Sequence, residues 1–529
     1  MKISRKFFSR TNITVCILSL FSILFIAYQD LPVTGRFGFV FLDSLLDREP
    51  FSFFVRAYES GITKEGAVYG ITFYALEGLW DLPLWLLRLF IPFAWTSPLL
   101  IIWYKLFNVL FLILSVRETA GLAGRIGVKE SDASTLFLCS AVVFFPVFIA
   151  SQCDIVTIFF TLCAIRCYED GQYGKFLLLM AVAINLKPFP VFIAFLLILI
   201  RQKNVFRILR DLLTVCSLLI GTNLLYRYNP WNPFVRGKAQ SEHLSVFLTR
   251  IGPFSLPLFF VIAFIVCLLA YRKLTAVNIN APEEERRRAV CTHIRLAGIL
   301  MGAFCILGDA APYWVIYLEP YLTLISLDLK KECELTSVEQ NGSSFPHWMK
   351  THSVFLVTIM ETAVIIRMIG SYPWVYGGKE TYSYTLLSPL FRHGFILENV
   401  PTLAGTISTL HLSLLFPFAE ILSAGCFLAL TLILIFNDEQ LSPEKGQSPP
   451  QILQNCSIAA SGCFSFRQRN EKASAMYLLY APVVYRRIYT VYPACFESFP
   501  HRLNKFAWSG LAHRFCNWHK EPFTYEHPV

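Results

Sequence analysis

The stretch that decides the reading is SQCDIVTIFFTLCAIRCYEDGQYGKFLLLMAVAINLKPFPVFI, residues 151–193. An apolar run, 154–168, leads into a polar turn carrying Gly171 and Lys175, and a second apolar run, 176–186, follows. That run stops at Lys187-Pro188-Phe189-Pro190, and a third apolar run, 189–200, leaves the prolines. The second and third runs are each about half the ~20 residues that a helical membrane span needs. Proline breaks a helix because it lacks the amide donor and clashes with the preceding turn. The chain is therefore expected to turn back at Lys187 as a pair of short helices. Such broken backbone at membrane depth is tolerated where it lines a polar cavity.

Working outward, the same apolar texture covers most of the 529 residues. Hydrophobic residues make up 55%, charged residues 16%, and the mean hydropathy is +0.52. A soluble domain is about 25% charged, so this chain lacks the polar side chains to cover a water-facing surface. Apolar blocks fall at 11–28, 97–116, 132–149, 154–168, 176–186, 189–200, 211–226, 253–271, 291–308, 313–329, 353–369 and 409–436. The expectation is an all-α, polytopic transmembrane bundle of about 10–12 helices. It fills residues 1–436 and has a large first outer loop, 29–96. A disordered chain, a disulfide-stapled secreted domain and a nucleic-acid binder are excluded. The 15 cysteines are scattered without metal-ligand spacing and read as small hydrophobes.

Charge tests the alternation. With the N-terminus in the cytoplasm, the segments 1–10, 117–131, 166–175, 201–210, 272–295 and 330–352 are inner and hold 22 Lys and Arg in 92 residues. The outer segments 29–96, 150–153, 187–188, 227–252, 309–312 and 370–408 hold 12 in 143. That bias is the one expected of cytoplasmic loops, and it survives only if the chain turns back at Lys187. It also accounts for the net charge of +10 without an anionic macromolecular partner. The membrane is a bacterial plasma membrane or the endoplasmic reticulum. Within the first outer loop, residues 65–90 mix Trp80 and Trp85 with Glu77, Asp81 and Arg88. A span would have to bury both acids at a cost of a few kcal/mol each, so an interfacial helix is expected there. Residues 437–529 lose the long apolar runs after LSPEKGQSPP and read as a poorly ordered cytosolic tail.

Ionisable residues at or inside a membrane are costly, so they mark sites. Asp30, just after the first span, and Asp43 sit where a carboxylate can take a proton from a sugar hydroxyl, or simply be solvated. Asp154 begins the fourth apolar run, where it can orient an acceptor, bind a metal, or cap its helix. Lys187 can meet a phosphate at the interface, or snorkel without a ligand. Asp309, Tyr313 and Trp314 lie in GDAAPYW, residues 308–314, a turn able to line a sugar site or an interfacial aromatic belt. Arg227, Arg236 and His243 belong to an outer basic loop that can hold a lipid phosphate or be solvated. No Walker A, GxSxG, HExxH or dinucleotide fingerprint is present, which argues against ATP-driven transport and a soluble nucleotide-sugar domain.

The segment 151–193 resembles part of the GT-C superfamily of integral-membrane glycosyltransferases. The likeness lies in Asp154 before a short apolar helix, the Gly171–Lys175 turn and the Lys187–Pro190 element. The large loop after the first span is also GT-C-like. The resemblance implies transfer of a hexose from a polyprenyl-phosphate donor to an acceptor on the extracytoplasmic side. Asp43 or Asp30 would then be the base. Lys187, with Arg227 or Arg236, would meet the donor phosphate. Asp154, Asp309, Tyr313, Trp314 and His243 would orient sugar, and a divalent metal is the one cofactor it leaves open. Where GT-C relatives carry His-Pro-Tyr-Trp-like strings, this chain has Ala311-Pro312-Tyr313-Trp314, so no histidine role carries over. The other readings are a transporter or flippase of a lipid-linked sugar, and a noncatalytic GT-C-like subunit. A transporter would use a site between half-helices.

Overall fold

The computed structural model describes residues 10–26, 30–62, 66–91, 98–226, 246–251, 254–277, 280–336, 345–371 and 415–437. These form sixteen α-helices and one two-stranded hairpin. The helices are α1 (Arg10–Phe25), α2 (Asp30–Leu46), α3 (Phe53–Glu59), α4 (Ile71–Arg88), α5 (Pro98–Arg125), α6 (Glu130–Cys139), α7 (Ala141–Phe144) and α8 (Asp154–Glu169). They continue with α9 (Tyr173–Leu186), α10 (Val191–Arg201), α11 (Val205–Leu225), α12 (Leu258–Lys273), α13 (Glu283–Gly302), α14 (Glu319–Thr336), α15 (Phe345–Ser371) and α16 (Leu415–Asn437). Strands β1 (Thr249–Ile251) and β2 (Phe254–Leu256) pair antiparallel, with Arg250 opposite Ser255. The tail 437–529 lies beyond the described residues from 438 onward.

Local chemistry sets the helix ends around residues 151–204. Glycine at +71° follows α8 at Gly171, the left-handed stop that costs glycine nothing. Lys187 ends α9 in an extended conformation, as a residue before proline must. Asn204 caps α11 by accepting from the amides of Phe206 and Arg207 at 3.0 and 3.3 Å, which satisfies two of the helix's orphan donors. Ser140 accepts from the Val142 amide at 3.1 Å and marks a 56° bend between α6 and α7.

Contacts at the helix ends show how the passages alternate. Arg201 lies over the Tyr173 ring at 4.4 Å, so the end of α10 returns beside the start of α9. Tyr173 also donates to Asp211 of α11 at 2.7 Å, while Asn185 at the other end of α9 donates to Thr222 of α11 at 2.8 Å. Helices α9, α10 and α11 therefore run back and forth between the same two ends, as the Lys187 turn required. One end gathers Asp154, Lys187, Phe189, Phe304 and Trp314; the other gathers Arg125, Asp170, Glu169, His293 and Arg201. They are called the aromatic end and the basic end below.

Four helices are long and apolar enough to cross a membrane by length and composition, or five if the bent α6–α7 pair counts as one; this holds among the described residues. They are α5, α11, α13 with its continuation to Leu307, and α16. The apolar window of α13 is wholly buried, whereas little of that of α11 is, so α13 is central and α11 peripheral. Large apolar side chains stand exposed on α1, α11, α12 and α16, including Phe21, Leu213, Phe264 and Phe418. Exposed apolar area of that extent suits helices that face lipid.

The stretch read as a large loop, 29–96, is mostly helix: α2, α3 and α4 fill it. The expectation that Glu77 and Asp81 avoid burial is corrected. Both are buried, because Gly38 of α2 lets the two backbones approach; a Cβ there would stand 2.5 Å from Asp81 Oδ2. Trp103 donates to Asp81 Oδ1 at 3.0 Å, which meets part of the acid's demand for donors.

Candidate functional site at the aromatic end

Two π-helical turns lead into the site. Phe145–Ile149 precedes Ser151, and Ala303–Leu307 precedes Gly308. Single π-turns inside helices recur at functional positions. Ser151 then adopts φ +53°, a left-handed conformation costing a non-glycine residue roughly 1–2 kcal/mol. Asn108 of α5 secures it by donating to the Ser151 carbonyl at 3.0 Å. This kink delivers Asp154, fully buried, at the first residue of α8.

The N-cap residue Cys153 makes no side-chain cap, and Asp154 follows it. Its Oδ1 accepts from the Tyr317 hydroxyl at 2.8 Å and forms an ion pair with Lys187. The positive end of the α8 dipole also favours a carboxylate there. Lys187 places its ammonium over the rings of Tyr69 and Trp314, at 5.2 and 5.4 Å from their centroids; such ring faces attract a cation. Phe189, two residues on, packs against Trp314 at 4.7 Å, Phe304 at 4.5 Å and Tyr317 at 5.6 Å. The result is one carboxylate and one ammonium inside an aromatic box.

Helix α4 closes one side. Tyr74 accepts from the Val68 and Tyr69 amides at 3.0 and 3.1 Å, which shapes the turn that presents Tyr69. Thr72 hydrogen-bonds Asn185, and Gly70 lies against the Asn185 carbonyl so closely that any Cβ would overlap it. The Tyr69 hydroxyl and the Cys153 thiol are close enough to influence each other. Burial pushes that thiol up to about 12, with Lys187 opposing the shift and Asp154 and Glu77 adding to it. Burial likewise holds the Tyr69 hydroxyl well above the usual phenol range.

Among the buried polar atoms without a hydrogen-bond partner here are Asp154 Oδ2 and Trp314 Nε1. One is an acceptor and the other a donor. A ligand hydroxyl both gives and takes a hydrogen bond. Buried groups left unmatched are costly.

Of the residues expected from sequence, Asp154, Lys187 and Trp314 converge directly. Tyr313 stands edge-on to Trp314 at 6.2 Å, and Asp309 is half-buried in the adjoining turn. Asp43 is not brought to them. Its carboxylate accepts from Trp85 Nε1 at 2.8 Å and is bridged by Arg88 at 2.5 Å, both in the last turns of α4. Tyr69 and Thr72, at the other end of α4, touch the box. At 1.5 Å per residue the two ends of α4 lie about 20 Å apart. Asp30 opens α2, but its side chain, like Arg227, Arg236 and His243, lies outside the described residues. Among the described residues no three His, Cys, Asp or Glu side chains converge to hold a metal ion, so the box does not fit the divalent metal left open above.

Sequence reasoning missed Tyr69, Tyr317 and Lys105. Lys105 is buried within α5 and donates to the carbonyls of Ser22 at 2.7 Å, Phe148 at 3.3 Å and Ile26, which ties α1 to the first π-turn. A lysine eight residues into an apolar block was the available signal. No family model, no curated protein and no solved structure matches this chain.

Proposed function

We propose that the chain is a polytopic membrane protein of GT-C type that transfers a hexose from a polyprenyl-phosphate donor to an acceptor at the aromatic end, on the extracytoplasmic side. The observation that carries this reading is the Asp154–Lys187 pair set among Tyr69, Trp314, Phe189 and Tyr317, with Asp154 Oδ2 and Trp314 Nε1 unmatched. Aromatic faces suit the apolar faces of a sugar ring, and the two unmatched atoms suit its hydroxyls.

In this reading Lys187 meets the donor phosphate, and its move toward that phosphate frees Asp154. The acceptor oxygen attacks the anomeric carbon, its proton passes to Asp154, and the bond from that carbon to the phosphate oxygen breaks. Lys187 then stands beside the negative charge that develops on the departing phosphate. Asp154 is preferred to Asp43 as base because a base must lie within hydrogen-bond reach of the proton it takes, and Asp43 is occupied by Arg88 and Trp85 far along α4. The concentration of Lys and Arg at the other end fits an N-terminus in the cytoplasm.

The test is incubation of membranes carrying the full chain with radiolabelled polyprenyl-phosphate mannose or glucose. A new glycosidic product supports the reading. Movement of the labelled lipid across sealed vesicles with no new bond overturns it in favour of a carrier.

A further inference from the structure

The basic end holds a cavity of about 1010 Å³ that the transfer reaction does not use. It lies at the opposite end of α8 from Asp154, about 22 Å away along the helix at 1.5 Å per residue. Arginines come to it from four separate elements: Arg125 from α5, Arg201 from α10, Arg207 from α11, and Arg286 and Arg287 from α13. The acids on its wall are Glu130, Glu169 and Glu283.

The arginines are not equally engaged. Arg125 is fixed by Asp170, with Nε and Nη2 at 2.9 and 2.5 Å from Oδ1, and Arg287 pairs with Glu284 at 2.6 Å. Glu169 is taken by His293, whose Nδ1 lies at 2.8 Å. Arg201 rests on the Tyr173 ring. Neither it nor Arg207 or Arg286 has an ion pair among the described residues. Tyr168, buried on the same wall, has a hydroxyl without a hydrogen-bond partner. Three guanidinium forks without an ion pair and an unmatched buried hydroxyl around one cavity suit an anion with several acceptor oxygens. Guanidinium matches phosphate geometry in pairs of parallel hydrogen bonds.

We propose that this cavity binds a phosphorylated anion, a phosphate or diphosphate group, held by Arg201, Arg207 and Arg286 with Tyr168. The volume is that of a small-molecule site rather than of a single ion, so the group belongs to a larger molecule. The wall beside Arg207 continues into the exposed apolar face of α11, with Phe206, Leu209 and Leu213 on the surface. That continuity places a lipid tail naturally beside a bound headgroup. The site is independent of the transfer reading and stands or falls separately from it.

The test uses the full chain, purified in detergent and reconstituted in nanodiscs, and compares wild type with R201Q/R286Q and with Y168F. The first probe is inorganic pyrophosphate added to the detergent sample; the second is phosphatidic acid at 20 mol% in phosphatidylcholine nanodiscs, about one lipid in five, enough to saturate a specific headgroup site. Binding to wild type that weakens about tenfold or more in R201Q/R286Q supports the site, since each lost fork removes charge-assisted bonds. Response to pyrophosphate identifies a soluble source, and response to phosphatidic acid alone identifies a lipid headgroup. Y168F removes only a hydroxyl, so it keeps the test valid if the double variant fails to fold; it should weaken binding measurably. No binding to either probe, or wild-type affinity in both variants, overturns the proposal.

Discussion

The Asp154–Lys187 pair can be dissected by a double-mutant cycle with Asp154→Leu, Lys187→Met and both together. Asp154 is fully buried and the Lys187 side chain is 11% exposed, so removing one partner strands the other's charge in a low-dielectric box. Breaking a buried pair from one side costs about 3–5 kcal/mol, and each single variant should lose that much. In the double variant no charge remains stranded. The residual cost is the Tyr317 hydroxyl, left without its carboxylate acceptor, at about 1–3 kcal/mol. The double variant should therefore be more stable than either single one, with a coupling of about 3 kcal/mol or more. Denaturant titration in detergent, read by tryptophan fluorescence because Trp314 borders the pair, measures the cycle. Additivity to within about 0.5 kcal/mol, the behaviour of independent sites, would refute the buried-pair account. The cycle also separates folding from function: the double variant should fold yet transfer no sugar.

Other consequences follow from the supporting contacts. Gly70→Ala forces a methyl onto the Asn185 carbonyl and should cost about 1–3 kcal/mol by overpacking, seen as a lower melting midpoint; an unchanged midpoint contradicts the α4–α9 contact. Lys105→Met removes the ammonium from three carbonyls, of which that of Ser22 keeps the Ile26 amide and that of Phe148 keeps the Ser22 hydroxyl, and should lose about 1–3 kcal/mol, seen as a lower melting midpoint. Cys153 has its thiol pushed up to about 12, so only about one thiol in ten thousand is ionised at pH 8. Its maleimide labelling should rise about tenfold per pH unit up to pH 11. Fast labelling at pH 7 would contradict that burial.

The helical passages were legible because apolar blocks and prolines are local signals. The turn at Lys187 followed from two half-length runs and two prolines, and Arg201 returning to Tyr173 is its structural counterpart. Residues 29–96 were not legible as three helices. Glu77 and Asp81 lie four apart on one face of α4, and their burial depends on Gly38 and Trp103, partners that no local pattern reveals. Asp154, Lys187 and Trp314 were each visible as costly or interfacial residues. Their meeting was not, because it depends on α8, α9 and the turn before α14 reaching one end of the bundle. The arginine cavity was hidden for the opposite reason. Its residues read as ordinary basic loops, and only packing shows that they face one another.

The most direct test of the central claim compares wild type, Asp154→Asn and Asp43→Asn in one transfer assay with a polyprenyl-phosphate hexose donor, at matched amounts of folded protein. The Asp154–Lys187 account predicts that Asp154→Asn abolishes transfer while Asp43→Asn, which loosens the contacts with Arg88 and Trp85 at the far end of α4, retains most of it. Loss of transfer in Asp43→Asn with activity preserved in Asp154→Asn would contradict the account and return the base to the first outer segment.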